Sequence, residues 1–296
     1  MTLNPLTTTD KVKTDSQITT DIYLPPNLTN NHSKYPILIN IHGGAFMLGN
    51  SRMVSISQIQ DCLDRNWIVV VPDHRICPGV NILDGPVEDC RDLLSWVYTG
   101  GLEGFLQEQG TQYEGSDVPK PPKAILDFYG AVHFTHSFWT APLPNAAEKL
   151  HPLSSDFINR FYDEYPVPTD SSISLECQAG SGRAKGPAFE RPRDAFAFSQ
   201  IANGRVLQAC FPDRDVREID PVWWVGEGFF ATCVVHGVED RMVPIYLSRE
   251  LLRVLKGKGV ECEMVEVPGE DHTFAMWMEV GPRTWEMQRK GSIFWR

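Results

Sequence analysis

Short apolar segments recur along the chain and predict the strands of a buried sheet. Four of them are bounded by nearby Gly or Pro, at positions 37–41, 68–71, 124–128 and 231–235. Apolar runs that are rich in β-branched residues are typical of strands covered on both faces, as in a parallel sheet. We therefore expect these four segments to form the centre of the sheet.

Apolar residues at helical spacing occupy the segments between several of these runs. They recur in residues 53–66, 87–97 and 245–256, and Pro244 is a favourable first-turn residue before the third segment. Alternating strands and helices indicate an α/β fold with a doubly wound, mostly parallel sheet.

Two alternating segments predict strands near the ends of the chain. Residues 18–24 alternate between apolar and polar and are stopped by two prolines, which predicts an antiparallel edge strand. Residues 261–267 alternate in the same way and predict the last strand. Residues 1–7 have neither a basic nor an apolar leader pattern, and we expect a frayed start there.

A long connection, residues 131–222, separates the two halves of the predicted core. It is rich in Pro, Ser, Asp and aromatics, and a long insertion of this kind inside an α/β domain is often a lid. We therefore expect core residues 1–130, a lid at 131–222 and core residues 223–296. A short helix carrying Phe157, Phe161 and Tyr162 on one face would either line a substrate site or form an ordinary satellite core.

Composition excludes several classes of partner. Of 296 residues, 42% are hydrophobic and 22% charged, as in soluble globular proteins, and the net charge of −11 disfavours nucleic acid and anionic membranes. There is no apolar run of 18 residues, so no membrane span is expected. The seven cysteines are scattered without a C-x-x-C pair, which favours reduced thiols in the cytoplasm and no metal site.

The first candidate for chemistry is the segment HGGAF at residues 42–46. It follows a predicted buried strand and therefore lies at the carboxyl edge of the sheet, where open α/β folds bind ligands. Glycines let backbone N–H groups turn inward, and such groups stabilise an oxyanion. These five residues alone are equally consistent with a Gly-rich turn without a catalytic role.

The segment resembles the H-G-G-G loop of the hormone-sensitive-lipase-like carboxylesterases, which have the α/β-hydrolase fold. The resemblance implies that Gly43, Gly44 and Ala45 form the oxyanion hole, with Ala45 at the third glycine. Residues 69–78 and 86–90 also resemble segments of this family. We interpret Asp73 as a scaffold residue and Asp89 as a first-turn carboxylate of the next helix.

Two later segments resemble those that carry the family's acid and base. Residues 236–244 (HGVEDRMVP) resemble the signature H-G-x-x-D-x-x-V-P, which implies that Asp240 orients a catalytic histidine. Capping of the next helix is the alternative role for Asp240, and Glu239 is the fallback carboxylate. Residues 269–274 (GEDHTF) resemble the loop of the base, which implies that His272 is the proton carrier.

The nucleophile is missing from this pattern, because the chain contains no G-x-S-x-G. The fold places it on a turn between a strand and a helix, and residues 99–122 have no β-branched run for that strand. Ser116 is the only serine there; it lacks a small residue at +2, and a loop serine is the favoured alternative. Ser181 also has no preceding strand. We predict that the central nucleophile strand is missing, so that residues 37–41 and 124–128 pair directly.

The resemblance implies a hydrolase of the carboxylesterase type, acting without a cofactor on a carboxylic ester or related acyl bond of a small molecule. The missing elbow keeps two alternatives open. One is a non-catalytic homologue that binds a small apolar ligand or a protein partner, and the other is a truncated or mis-spliced product. The sequence does not fix the oligomeric state.

Overall fold

The structure is a computed structural model that describes residues 3–13, 15–26, 28, 35–111, 113, 122–143, 146–171, 191–277, 285–287 and 289–290. The chain divides into two compact units. The first unit comprises Met1–Val118 and Ser137–Arg214, and the second comprises Pro119–His136 and Asp215–Arg296. Each is described by itself.

The first unit contains a four-stranded mixed sheet in the order β1-β2-β4-β3. Its strands are β1 (Leu6–Lys13), β2 (Ser16–Tyr23), β3 (Ile37–Ile39) and β4 (Ile68–Pro72). β2 is antiparallel to β1 and β4, whereas β3 is parallel to β4. Every residue of β4 is buried, as expected for a continuous apolar run with a neighbour on each side.

Six α-helices of the first unit lie in its described part. They are α1 (Ile56–Asp64), α2 (Glu88–Tyr98), α3 (Gly101–Glu108), α4 (Ser155–Tyr162), α5 (Pro192–Ala202) and α6 (Val206–Cys210). A π-helical turn (Leu83–Val87) and 3₁₀ turns (Ser137–Thr140, Ala147–Lys149) join them. The apolar faces of α2 and α3 pack with β2 and β4 in one core that includes Leu93, Val97 and Leu102.

The second unit contains a parallel three-stranded sheet in the order β5-β6-β7. Its strands are β5 (Ala124–Phe128), β6 (Ala231–Gly237) and β7 (Cys262–Val267), and its helices are α7 (Pro221–Trp224) and α8 (Ile245–Gly257). 3₁₀ turns cover Val216–Glu218 and Phe274–Trp277. α8 packs on β6 and β7. Because β6 and β7 are parallel, the loop after β6 and the loop after β7 leave the same edge of the sheet.

The apolar segments and helical patterns are confirmed as strands and helices, but the edge assignment is wrong. β2 is an inner strand, because β1 pairs along its whole length and forms the edge. Leu6 and Thr7, expected in a frayed start, are already part of β1. The polar, threonine-rich sequence of β1 suits a half-exposed edge strand and gave no apolar signal.

The predicted direct pairing of residues 37–41 with 124–128 is also wrong for the described residues. β3 pairs only with β4 and β5 only with β6, so each ends its own sheet. Both strands are half-buried along their length. These are the two strands between which the sequence predicts a missing strand, and that absence stays a prediction.

The predicted aromatic helix of the insertion is α4. Phe161 is buried and its ring stacks on Phe196 of α5 at 4.6 Å and 24°. Tyr162, the last residue of α4, is exposed. This packing favours the satellite-core role for Phe161, whereas a lid at 131–222 stays a prediction. In the part of the chain that the structure describes, no helix is long and apolar enough to cross a bilayer.

Candidate functional site

The loop after β6 fixes the carboxylate of Asp240 on one side. Its Oδ1 accepts hydrogen bonds from the backbone N–H groups of Met242 (2.9 Å) and Val243 (2.8 Å), just before α8 begins. These bonds stabilise the turn before the helix and do not cap it: the N-cap of α8 is Pro244, which has no side-chain capping bond, so the capping role predicted as the alternative for Asp240 is wrong. Oδ2 of Asp240 remains available for other partners.

The second oxygen of Asp240 bonds His272. The distance from His272 Nδ1 to Asp240 Oδ2 is 2.7 Å, across 32 residues of sequence. The side chain of Asp240 is 0% exposed and that of His272 is 18% exposed. Burial alone would raise the pKa of Asp240, but hydrogen bonds from His236 and His272 outweigh burial and hold that pKa well below its ordinary value. Asp240 is therefore an anion that holds Nδ1–H of His272.

Backbone and side-chain bonds join the loop after β6 to the loop after β7. The N–H of Glu239 donates to Glu270 O (3.1 Å), and the Glu239 carboxylate accepts from Gly269 N (2.6 Å). Asp271 accepts from Arg241 N at 3.1 Å and also forms an ion pair with the Arg241 guanidinium. Glu239 thus joins the two loops, and it is Asp240 that bonds His272. This geometry gives no support to Glu239 as the carboxylate that orients His272.

A second histidine, which the sequence reasoning left without a role, also bonds Asp240. His236 lies at the end of β6, and its Nε2 is 3.1 Å from Asp240 Oδ2 and 2.8 Å from Val243 O. Its Nδ1 is 2.8 Å from Ser248 Oγ in α8. The signal for His236 was its place in the segment 236–244, four residues before Asp240.

An aromatic ring packs against both histidines. Tyr129 follows β5 with a left-handed φ of 45°, and its ring centroid is 4.9 Å from that of His272 and 6.4 Å from that of His236. Phe274 lies edge-on to it at 5.4 Å. Burial raises the pKa of the Tyr129 phenol, so the hydroxyl stays protonated and the ring acts as an uncharged wall.

The glycine loop belongs to the first unit and has a run of three residues with positive φ. Gly44 has φ of 124°, and a Cβ there would lie 1.9 Å from Leu48 O. Ala45 and Phe46 also have positive φ, at 52° and 65°. Within the described residues, the N–H groups of Gly43, Gly44 and Ala45 donate no backbone hydrogen bond. Three amides in a Gly-imposed turn are the groups that an oxyanion site needs.

A stacked pair of imidazoles accompanies this loop. The rings of His42 and His74 lie 4.3 Å apart at 12°, and His42 Nδ1 is 2.7 Å from Gly43 O. Burial, with a smaller contribution from His74, lowers the pKa of His42 to about 3. His42 is therefore a neutral scaffold residue of the loop. His74 occupies the position where the resembling family has tyrosine.

Asp73 and Asp89 occupy scaffold positions, as predicted. Asp73 accepts from Ser51 N (2.7 Å) and Thr19 Oγ1 (2.6 Å). Asp89, in the first turn of α2, forms a buried pair with Arg75, whose Nη2 is 2.7 Å away. Neither carboxylate bonds a histidine ring in the described part of the chain. Each instead binds a backbone N–H group and one side chain.

The structure does not place the candidate nucleophiles. Ser116 and Ser181 both lie outside the described residues. Among the described residues of the second unit, Nε2 of His272 makes no hydrogen bond. No group of three or more His, Cys, Asp or Glu side chains suited to a metal ion occurs in the described part of the chain.

Comparisons with known proteins agree with this architecture. Residues 20–103 match the family described as BD-FAE. A protein of unknown function from Staphylococcus aureus Mu50 superposes with a TM-score of 0.68 at 14% identity, covering 98% of this chain and 97% of that one. The thermophilic esterase Est2 of Thermogutta terrifontis, with butyrate bound, gives 0.56 at 14% identity, covering 98% and 92%.

Curated relatives are much longer proteins. The non-reducing polyketide synthase adrD of Penicillium rubens is 25% identical over an alignment of 303 positions, gaps included, that covers 87% of this chain and 12% of the synthase. Preu6 of Preussia isomera, also a non-reducing polyketide synthase, is 26% identical over an alignment of 308 positions that covers 92% of this chain and 14% of that synthase. The chain therefore spans about an eighth of the length of these relatives. Together with the strand order and the BD-FAE match, these findings show that the chain has the α/β-hydrolase fold.

Proposed function

We propose that this protein is a carboxylesterase-type hydrolase that cleaves a carboxylic ester or related acyl bond of a small molecule. In this proposal His272 is the base, Asp240 orients it, and the amides of Gly43, Gly44 and Ala45 receive the oxyanion. The observation that carries the proposal is the 2.7 Å bond between buried Asp240 Oδ2 and His272 Nδ1. A bond of this kind fixes the tautomer that leaves Nε2 free to accept a proton.

The proposed chemistry follows from the protonation states of the pair. His272 Nε2 takes the proton of an attacking hydroxyl and later gives it to the leaving alcohol, while the carboxylate of Asp240 balances the positive ring. Backbone N–H groups stabilise the tetrahedral oxyanion because they are fixed before the reaction begins. Ser116 is the candidate for the attacking hydroxyl, and water activated by His272 is the slower route if no serine takes part.

The proposed substrate is a small acyl compound. Support comes from the esterase architecture and from the similarity to polyketide synthases, although the activities of those long proteins are their own. The described cysteines are all free, which supports a reducing compartment such as the cytoplasm. The net charge of −11 supports a partner other than nucleic acid.

A second candidate is a non-catalytic homologue that binds a small apolar ligand or a protein partner. Two observations favour it: the chain has no G-x-S-x-G, and β3 and β5 end their sheets as half-buried strands. Both are expected if the strand that carries the nucleophile is missing, as in a truncated or mis-spliced product. A longer transcript with a G-x-S-x-G between residues 113 and 122 would identify such a product.

Hydrolysis of p-nitrophenyl acetate separates these candidates. The esterase proposal expects turnover that falls by about 10⁴ in kcat in Asp240→Asn and to a similar extent in His272→Ala. Two exposed residues provide matched controls, Glu227→Gln and His151→Ala, and both should leave the rate unchanged. Equal losses in variants and controls, or no turnover in the wild type, would contradict the proposal.

A fluorophosphonate probe with peptide mass mapping then identifies the nucleophile. Labelling at Ser116 would assign it. Turnover that needs His272 but resists the probe would indicate direct activation of water. Neither turnover nor labelling, together with a higher melting temperature on addition of short-chain fatty acids, would favour the ligand-binding homologue.

A further inference from the structure

The buried ring of His236 is held in one tautomer by its surroundings. Its Nε2 faces two acceptors, Val243 O at 2.8 Å and Asp240 Oδ2 at 3.1 Å, so Nε2 carries the hydrogen. Its Nδ1 is 2.8 Å from Ser248 Oγ, whose hydroxyl can donate to it. All three side chains, His236, Asp240 and Ser248, are buried, so no solvent molecule competes for these bonds.

His236 completes the set of donors around Asp240. Oδ1 accepts two backbone N–H groups, and Oδ2 accepts one imidazole N–H from His272 and one from His236. A carboxylate has about four lone-pair positions, so these four donors fill them. Val243 links the two halves, because its N–H donates to Oδ1 and its carbonyl accepts from His236. The carboxylate therefore cannot rotate without breaking a bond.

Ser248 sets the tautomer of His236 from α8. If His236 carried its hydrogen on Nδ1, the bare Nε2 would face two acceptors in a buried space, at a free-energy penalty. The hydroxyl of Ser248 disfavours that tautomer because it donates to Nδ1. The helix thereby contributes to the orientation of a carboxylate eight residues earlier in the chain.

We propose that His236 is a positioning residue that acts on His272 through Asp240, with Ser248 as the residue that fixes the His236 tautomer. This inference rests on the proposed function for its catalytic meaning. His236 itself has no exposed atom with which to touch a substrate. Its effect is to keep Oδ2 in the plane of the His272 ring, so that His272 holds Nδ1–H and presents Nε2 free.

The test reads the tautomer of His272 directly and needs no turnover. Long-range ¹H–¹⁵N spectra of the full chain labelled at histidine nitrogens would compare the wild type with His236→Phe, His236→Gln and Ser248→Ala. We expect one neutral tautomer of His272, Nδ1–H, in the wild type and a mixture in His236→Phe. Glutamine can donate an N–H to Asp240, so His236→Gln should restore the single tautomer. Ser248→Ala should produce a second tautomer of His236.

Thr232→Val is the matched control for Ser248→Ala. Thr232 lies on β6 and is buried, and its hydroxyl donates to the Phe230 carbonyl at 2.8 Å and contacts no histidine ring among the described residues. Its removal should lower the melting temperature without changing any histidine tautomer. If His236→Phe does not fold, mixed His272 tautomers in His236→Gln or an unchanged His236 tautomer in Ser248→Ala would overturn the proposal instead.

A His272 tautomer that is unchanged in His236→Phe would overturn the proposal, whatever the melting temperature. If the wild type turns over p-nitrophenyl acetate, His236→Phe should lower kcat by roughly tenfold to a hundredfold with KM unchanged, because a buried residue alters orientation and not binding. An increase in KM alone would also contradict the inference. Absence of wild-type turnover would remove the proposed function and leave the tautomer result intact.

Discussion

The replacement Asp240→Asn tests the central pair with little change of shape. The new side chain keeps an oxygen that can accept from Met242 N and Val243 N, so the loop before α8 should stay folded. Its NH₂ group replaces Oδ2 and meets two ring N–H groups, those of His272 and His236. The perturbation is that the amide N–H donors of the new side chain face the ring N–H donors of both histidines in a buried site.

The size of the effect follows from the bonds that are lost. Two hydrogen bonds to a carboxylate that is fully shielded from solvent contribute roughly 1.5–3 kcal/mol each, or about 3–6 kcal/mol together. His272 can recover about 1 kcal/mol by moving its hydrogen to Nε2 and accepting from the new amide. We therefore expect unfolding free energy to fall by roughly 2–5 kcal/mol.

Urea unfolding at pH 7 measures this loss, and the ring nitrogens of His272 report the change of tautomer. Glu239→Gln is the control, because the bond that its carboxylate accepts from Gly269 N lies on an exposed loop and glutamine can still accept it. We expect the control to stay within about 0.5 kcal/mol of the wild type. The reasoning would be refuted if Asp240→Asn also stayed within that margin and His272 kept Nδ1–H.

Three further predictions concern the first unit. Asp89→Ala leaves the Arg75 guanidinium, which is 4% exposed, without its main partner and should lower unfolding free energy by about 3–5 kcal/mol, whereas an apolar replacement of both residues should lower it less. Neutral His42 stabilises the fold fully above its unfolded pKa of about 6.5, and this contribution is lost as pH falls towards about 3. Urea unfolding at pH 6.5 and 5 should therefore show about 2 kcal/mol more loss in the wild type than in His42→Phe, and equal losses would contradict the pKa shift. Gly44→Ala should lower the melting temperature by several degrees, because the backbone there needs positive φ and has no room for Cβ, whereas Gly43→Ala, with no atom within 4 Å of a built Cβ, should not. Equal melting temperatures for the two glycine variants would refute the close approach.

The sequence by itself determined the secondary structure of the core. Each strand such as β4 and each helix such as α8 depends on a run of neighbours in sequence, and apolar periodicity records which face is buried. The threonine-rich strand β1 was not predicted, because an edge strand that is covered on one side needs no apolar run. Because β1 was not predicted, the position of β2 was predicted wrongly as the edge of its sheet.

The motifs also predicted Asp240 and His272 as partners, and the two side chains meet because the loops that follow parallel strands emerge at one edge of a sheet. The bonds that define the pair were decided only in three dimensions. Asp240 shares its second oxygen between His272 and His236, and Ser248 reaches that network from a helix. Such contacts depend on side-chain direction and packing, which a linear pattern does not encode, whereas the identity of each loop is written in a few consecutive residues.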